Sequence, residues 1–144
     1  MRTTGERGPL RGARGEGGLS SIEVVFLAPL IITFILVLVA FGQLVSGRGA
    51  VDGAARDAAR AGSLERSQGA AMASARRVAN GQLDDICVSG TVTVSSSGGA
   101  FEPGGLFGVE VSCRVRGLDL LGLNVATRLT GSSSSPIDPY RRAG

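Results

Sequence analysis

The chain has 144 residues, a net charge of +3, 23 glycines, 4 % aromatics and no Trp, which leaves room for one small domain whose thin core calls for a cross-link or a partner. All fifteen basic residues are Arg, with no Lys and no His. That excludes a P-loop, Schiff-base chemistry, Ser–His or Cys–His nucleophiles and the common His-bearing zinc sites, and two Cys are too few for a Cys₄ site.

The expectation is therefore no enzyme, no cofactor, no metal and no small-molecule substrate. The arginines are scattered and no aromatics interleave them, which argues for a composition bias and against a nucleic-acid partner. Residues 1–18 form a Gly- and Arg-rich leader without apolar periodicity and with no fold of its own. Arg2, Arg7, Arg11 and Arg14 before the apolar run suit a cytoplasmic N-terminus under the positive-inside rule. Arg48, Arg56 and Arg60 follow the run closely, so the Arg count alone decides little.

From Val24 to about Val45 no residue is charged, and only Pro29 and Thr33 interrupt the aliphatic pattern before Gly42. A helix of about 20 such residues spans the roughly 30 Å hydrocarbon core of a bilayer, and a single span must be helical to satisfy its own backbone. Residues 19–46 are thus expected to be a transmembrane helix in the cytoplasmic membrane, with the lipid bilayer as a partner. The alternatives are a buried core helix and an ordinary secretory signal cut near Ala40 and Gly42.

Just before the run, Gly18 is followed by Leu19, Ser20, Ser21, Ile22 and Glu23, the only acid between Glu16 and Asp52. This resembles the processing site of type IV prepilins. The resemblance implies cleavage after Gly18 by a membrane aspartic peptidase on the cytoplasmic side, leaving Leu19 as the new N-terminus. Glu23, the Ala28-Pro29 pair, and Ala54-Ala55-Arg56-Asp57-Ala58-Ala59-Arg60 after the span together resemble the TadE-like family of minor pilins or pseudopilins of the tight-adherence (Flp) system. The resemblance covers Gly17 to Gly62. It implies prepilin peptidase and other pilin or pseudopilin subunits as partners. Val24 departs from the aromatic that many related pilins carry after the Glu, which favours a minor component over the fibre subunit.

Two roles are open to Glu23. Ser20-x-x-Glu23 is a capping box, and a carboxylate there also complements the helix dipole. In a processed subunit it can instead neutralise the free amine of Leu19 on a neighbour, a use that would justify a charge so close to hydrocarbon. Pro29 removes the hydrogen bond to the Val25 carbonyl, producing a kink that serves assembly or one that membrane helices simply tolerate.

Residues 47–83 are Ala-rich, with Asp52/Arg56 and Asp57/Arg60 at helical spacing. The pattern predicts an extracytoplasmic extension of the helix, broken at Gly47 or Gly49 and again near Gly62 or Gly69. Its small residues suit close helix contacts or mark helix propensity alone. After Asp84-Asp85 the period becomes two. Ile86, Val88, Val92 and Val94 form one alternation and Val109, Val111, Cys113 and Val115 a second, and Leu123–Thr130 supplies a third strand.

The class is therefore α+β, a long helix packed on a small antiparallel sheet of about three strands spanning residues 84–130. Cys87 and Cys113 fall on the first two strands and read as a disulfide in an oxidising compartment, worth about 3 kcal/mol in the chain-entropy model, with two free thiols as the alternative. Simple alternation puts Cys87 on the polar face, so a bulge at Gly90 is needed to turn it inward. Gly104-Gly105-x-x-Gly108 precedes a strand and is no nucleotide site. Residues 131–144 read as a flexible tail. The expected function is a minor pilin or pseudopilin assembled through its hydrophobic helix, and the rival is a membrane-anchored or secreted binding domain unrelated to pili.

Overall fold

A computed structural model describes residues 21–115, 122 and 125–140. The leader, Gly18, Leu19 and Ser20 lie outside the described residues, as do Leu123, Asn124 and residues 141–144. The elements in order are α1 (Ser21–Ser63), α2 (Gln68–Leu83), β1 (Thr93–Ser96), β2 (Leu106–Val115) and β3 (Thr127–Pro136). This is an α+β chain with a candidate membrane helix and a three-stranded antiparallel sheet in the order β1-β2-β3.

The chain divides into two compact units that meet within α1, after Phe34. In the first, the described residues are helical throughout and exposed, with Phe26 74 % and Leu30 66 % accessible. Thr33 Oγ1 donates to the Pro29 carbonyl at 2.8 Å, the i−4 back-bond that a helical Thr makes.

The second unit begins with more exposed apolar helix, Ile35 to Val39 and Phe41. Burial then sets in along one stripe of α1: Gly47, Val51, Ala54, Ala55, Ala58, Ala59 and Gly62. These recur at three- and four-residue intervals, so they share one face. The helix runs unbroken through Gly47 and Gly49, against expectation. A glycine costs a helix only about 1 kcal/mol, and at Gly47 there is a packing reason for it. A Cβ there would press within 3.3 Å of Val115 Cγ1 and 3.4 Å of Leu129 Cδ1. The break comes after Gly62, as one of the two expected positions allowed. Glu65 N donates to the Gly62 carbonyl, and Ser67 caps α2 by accepting from Ala70 N at 3.3 Å.

Against that stripe lie Ala71, Ala75, Ala79 and Leu83 of α2 and the inward residues of β2, which are Phe107, Val109, Val111, Cys113 and Val115. The intervening Glu110 and Arg114 are exposed, the one-sided pattern of a sheet packed on a single face. Phe101 meets Phe107 edge-on at 5.7 Å between ring centroids, in the geometry the ring quadrupole favours.

Three boundaries differ from expectation. The first strand does not start at Ile86: β1 is only Thr93–Ser96. Gly90, with φ of +76°, sits in a turn closed by Thr91 N donating to the Val88 carbonyl at 3.1 Å. A positive φ at the third position of such a turn favours Gly. Gly90 thus makes a turn before β1 and not a bulge within it. The third strand starts at Thr127, with Val125 and Ala126 outside it.

It also continues through the serine run. Gly131 to Pro136, read as tail, pair with Val111 back to Leu106. Ile137 is buried and exchanges hydrogen bonds with the Gly104–Gly105 loop. Serines carry no apolar alternation, so the strand is set by its partner β2 and by the close approach of Gly131 to α1. A Cβ on Gly131 would strike Asp52.

Candidate functional site

α1 carries two kinds of surface in succession. From Ile22 to Val39 every side chain is exposed although nearly all are aliphatic or aromatic. Only 6 % of the most apolar eighteen-residue window is buried by the chain, which overturns the buried-core-helix alternative. From Gly47 onward the small residues are covered by the chain's own sheet and α2. The Ala and Gly positions considered for contacts with other helices are therefore largely consumed internally, and Gly62 lies so close to the Phe107 ring that a methyl group would overlap it.

Glu23 stands in the first turn of α1 and is exposed. Pro29 lies within α1 six residues later. The two therefore share the uncovered apolar part of the helix, while Gly18 and Leu19 precede the described residues. Lower on the helix, Asp57 turns to α2, where it accepts from Gln82 Nε2 at 2.7 Å.

Cys87 and Cys113 are joined, with Cα atoms 5.9 Å apart. The turn at Gly90 leaves Cys87 outside β1 in an isolated bridge with Val115, and from there it is buried beside the inward face of β2. The bond ties the end of α2 to the central strand across a separation of 26 residues. Among the described residues no cluster of three or more His, Cys, Asp or Glu could hold a metal ion.

One arrangement was hidden in the sequence. Arg114 of β2 lies directly opposite Arg128 of β3, both exposed on the face of the sheet turned away from α1. Scattered in sequence, these arginines become neighbours only through strand register.

Residues 18–60 match the TadE-like protein family. No curated protein and no solved structure matches the chain. The TadE-like segment runs from Gly18 to three residues short of the end of α1 and includes none of the sheet. It thus covers Gly18, Leu19, Glu23, Pro29 and both surfaces of the helix. The match is confined to this segment and is consistent with a TadE-like protein of the Tad pilus system.

Proposed function

We propose that the chain is a minor pilin or pseudopilin-like component of a type IV (Tad/Flp) pilus or secretion assembly. In this reading it is processed after Gly18 by a prepilin peptidase and assembled through the apolar part of α1. The observation that carries it is that the TadE-like segment coincides with a helix whose first half the chain leaves uncovered and whose second half it packs itself. The uncovered half can lie in the bilayer and later against the helices of other subunits, where packing and not solvent exclusion drives association. The covered half holds the small α+β domain to the anchor.

The N-terminus faces the cytoplasm in this reading, and the domain lies outside, where an oxidising compartment maintains Cys87–Cys113. In this reading Glu23 neutralises the amine of Leu19 on a neighbouring subunit. Determining the mature N-terminus by mass spectrometry of the protein purified from membranes tests the reading. Leu19 is expected; an intact Met1 would mean a simple anchor, and a start near Gln43 a secreted domain.

A further inference from the structure

The charge-bearing end of the sheet lies beside the point where the apolar surface of α1 gives out. Gly47 abuts Val115 and Leu129, the residues next to Arg114 and Arg128, and these are a cross-strand pair. Val45 is the last exposed apolar side chain of the helix before that level, and Arg48 is the first charge after it. Val125, leading into β3, is also exposed here.

Like charges directly opposite on a sheet face destabilise the pair. Acids that could relieve this are few among the described residues. Glu110 shares the outer face but sits four residues along β2, about 13 Å away at strand rise. Asp85 lines the groove beside Gly47 and Cys87 instead. Both backbone polar groups of Arg114 are held by the turn before β1, the N–H donating to Thr91 Oγ1 at 3.2 Å and the carbonyl accepting from Val88 N at 2.8 Å. The pair is therefore presented on a fixed frame, and among the described residues no acid lies on the outer sheet face nearer to it than Glu110.

We propose that Arg114 and Arg128 form a basic collar that binds the phosphates of anionic lipid headgroups where α1 leaves the bilayer. Guanidinium forks suit phosphate oxygens in bidentate geometry, and an anion bridging the two removes their mutual repulsion. The occupant is lipid because the sheet end that carries the pair is level with Gly47, where the exposed apolar stretch of α1 ends and headgroups would lie. The inference rests on α1 lying in the membrane.

The test reconstitutes the full chain in bilayers of phosphatidylcholine containing phosphatidylglycerol, isolates it with its surrounding lipid, and compares the two lipids by mass spectrometry. The wild type should be enriched in phosphatidylglycerol. R114Q/R128Q should lose that preference by about fivefold for each arginine replaced, whereas R114K/R128K should retain most of it. An unchanged preference in R114Q/R128Q, or an equal loss in R114K/R128K, would overturn the collar. So would displacement of the lipid by inorganic phosphate at matched ionic strength, which would assign the pair to a free anion. An alkaline wash separates the two claims. Release of the wild-type chain from the membrane refutes the anchor, while retention without lipid preference refutes the collar alone.

Discussion

Gly62 and Gly53 lie on the same helix and are chemically identical, yet their surroundings oppose each other. A methyl group at Gly53 meets nothing within 4 Å, whereas at Gly62 it overlaps the Phe107 ring, itself buried and braced by Phe101. Gly53→Ala should therefore stabilise the domain by about 0.5–1 kcal/mol through helix propensity. Gly62→Ala should destabilise it by about 1–3 kcal/mol through overpacking, and denaturant titration of the full chain in detergent, followed by circular dichroism, reads both. Glu23 is the residue whose effect should be invisible in that measurement. Glu23→Gln keeps a side chain able to cap the first turn, so stability should not change. If the carboxylate neutralises a neighbour's Leu19 amine, removing one partner of a buried pair costs about 3–5 kcal/mol, so incorporation into assemblies should fall by about two to four orders of magnitude. Incorporation at the wild-type level, measured by subunit counts in purified assemblies, would reduce Glu23 to a cap.

Among the elements, the disulfide links an irregular connection to the central strand. Residues 84–92 belong to no helix or strand, and the Cys87–Cys113 bond fastens them to the central strand. Replacing both cysteines by Ser should cost about 3 kcal/mol, and the same loss should follow from adding a reductant to the wild type in the denaturant titration. A free-thiol assay on the unfolded, unreduced exported protein should find none. How legible each element was in the sequence follows from the signal it carried. The apolar run and the second alternation were plain because hydrophobic period survives without tertiary help: Val109, Val111, Cys113 and Val115 all face inward as the alternation required. β3 was misread where its side chains were serines, since there the partner strand, Gly131 beside Asp52 and the contact of Ser63 Oγ with Ser135 Oγ at 3.1 Å position the chain. At Gly90 the expected bulge is a turn that ends before β1 begins, because a lone glycine does not distinguish the two. The Arg114–Arg128 pair was illegible because register is a property of two strands, and no single-strand pattern encodes it.

For the whole molecule, the division of α1 into an uncovered and a covered half has a direct consequence for what can be cut away. Every member of the hydrophobic core, from Val51 to Ile137, lies beyond the apolar run, and the first glycine contact with the sheet is at Gly47. The exposed residues from Ile22 to Phe41 contribute almost nothing to that core, and in water they are an apolar surface far larger than a soluble monomer tolerates. A chain beginning at Gln43 keeps the whole buried stripe of α1, both faces of α2, the sheet and the disulfide. Exported to an oxidising compartment, it should accumulate in the soluble fraction, show a cooperative thermal transition and contain no free thiol, whereas the full chain should need detergent. If the shortened chain instead aggregates or lacks a cooperative transition, the apolar half of α1 supports the fold and not only its location. Recovery of the folded domain in solution would separate the two jobs of the helix at Gly47. It would also leave the uncovered segment, with Glu23 and Pro29 on it, free to be altered without unfolding what it carries.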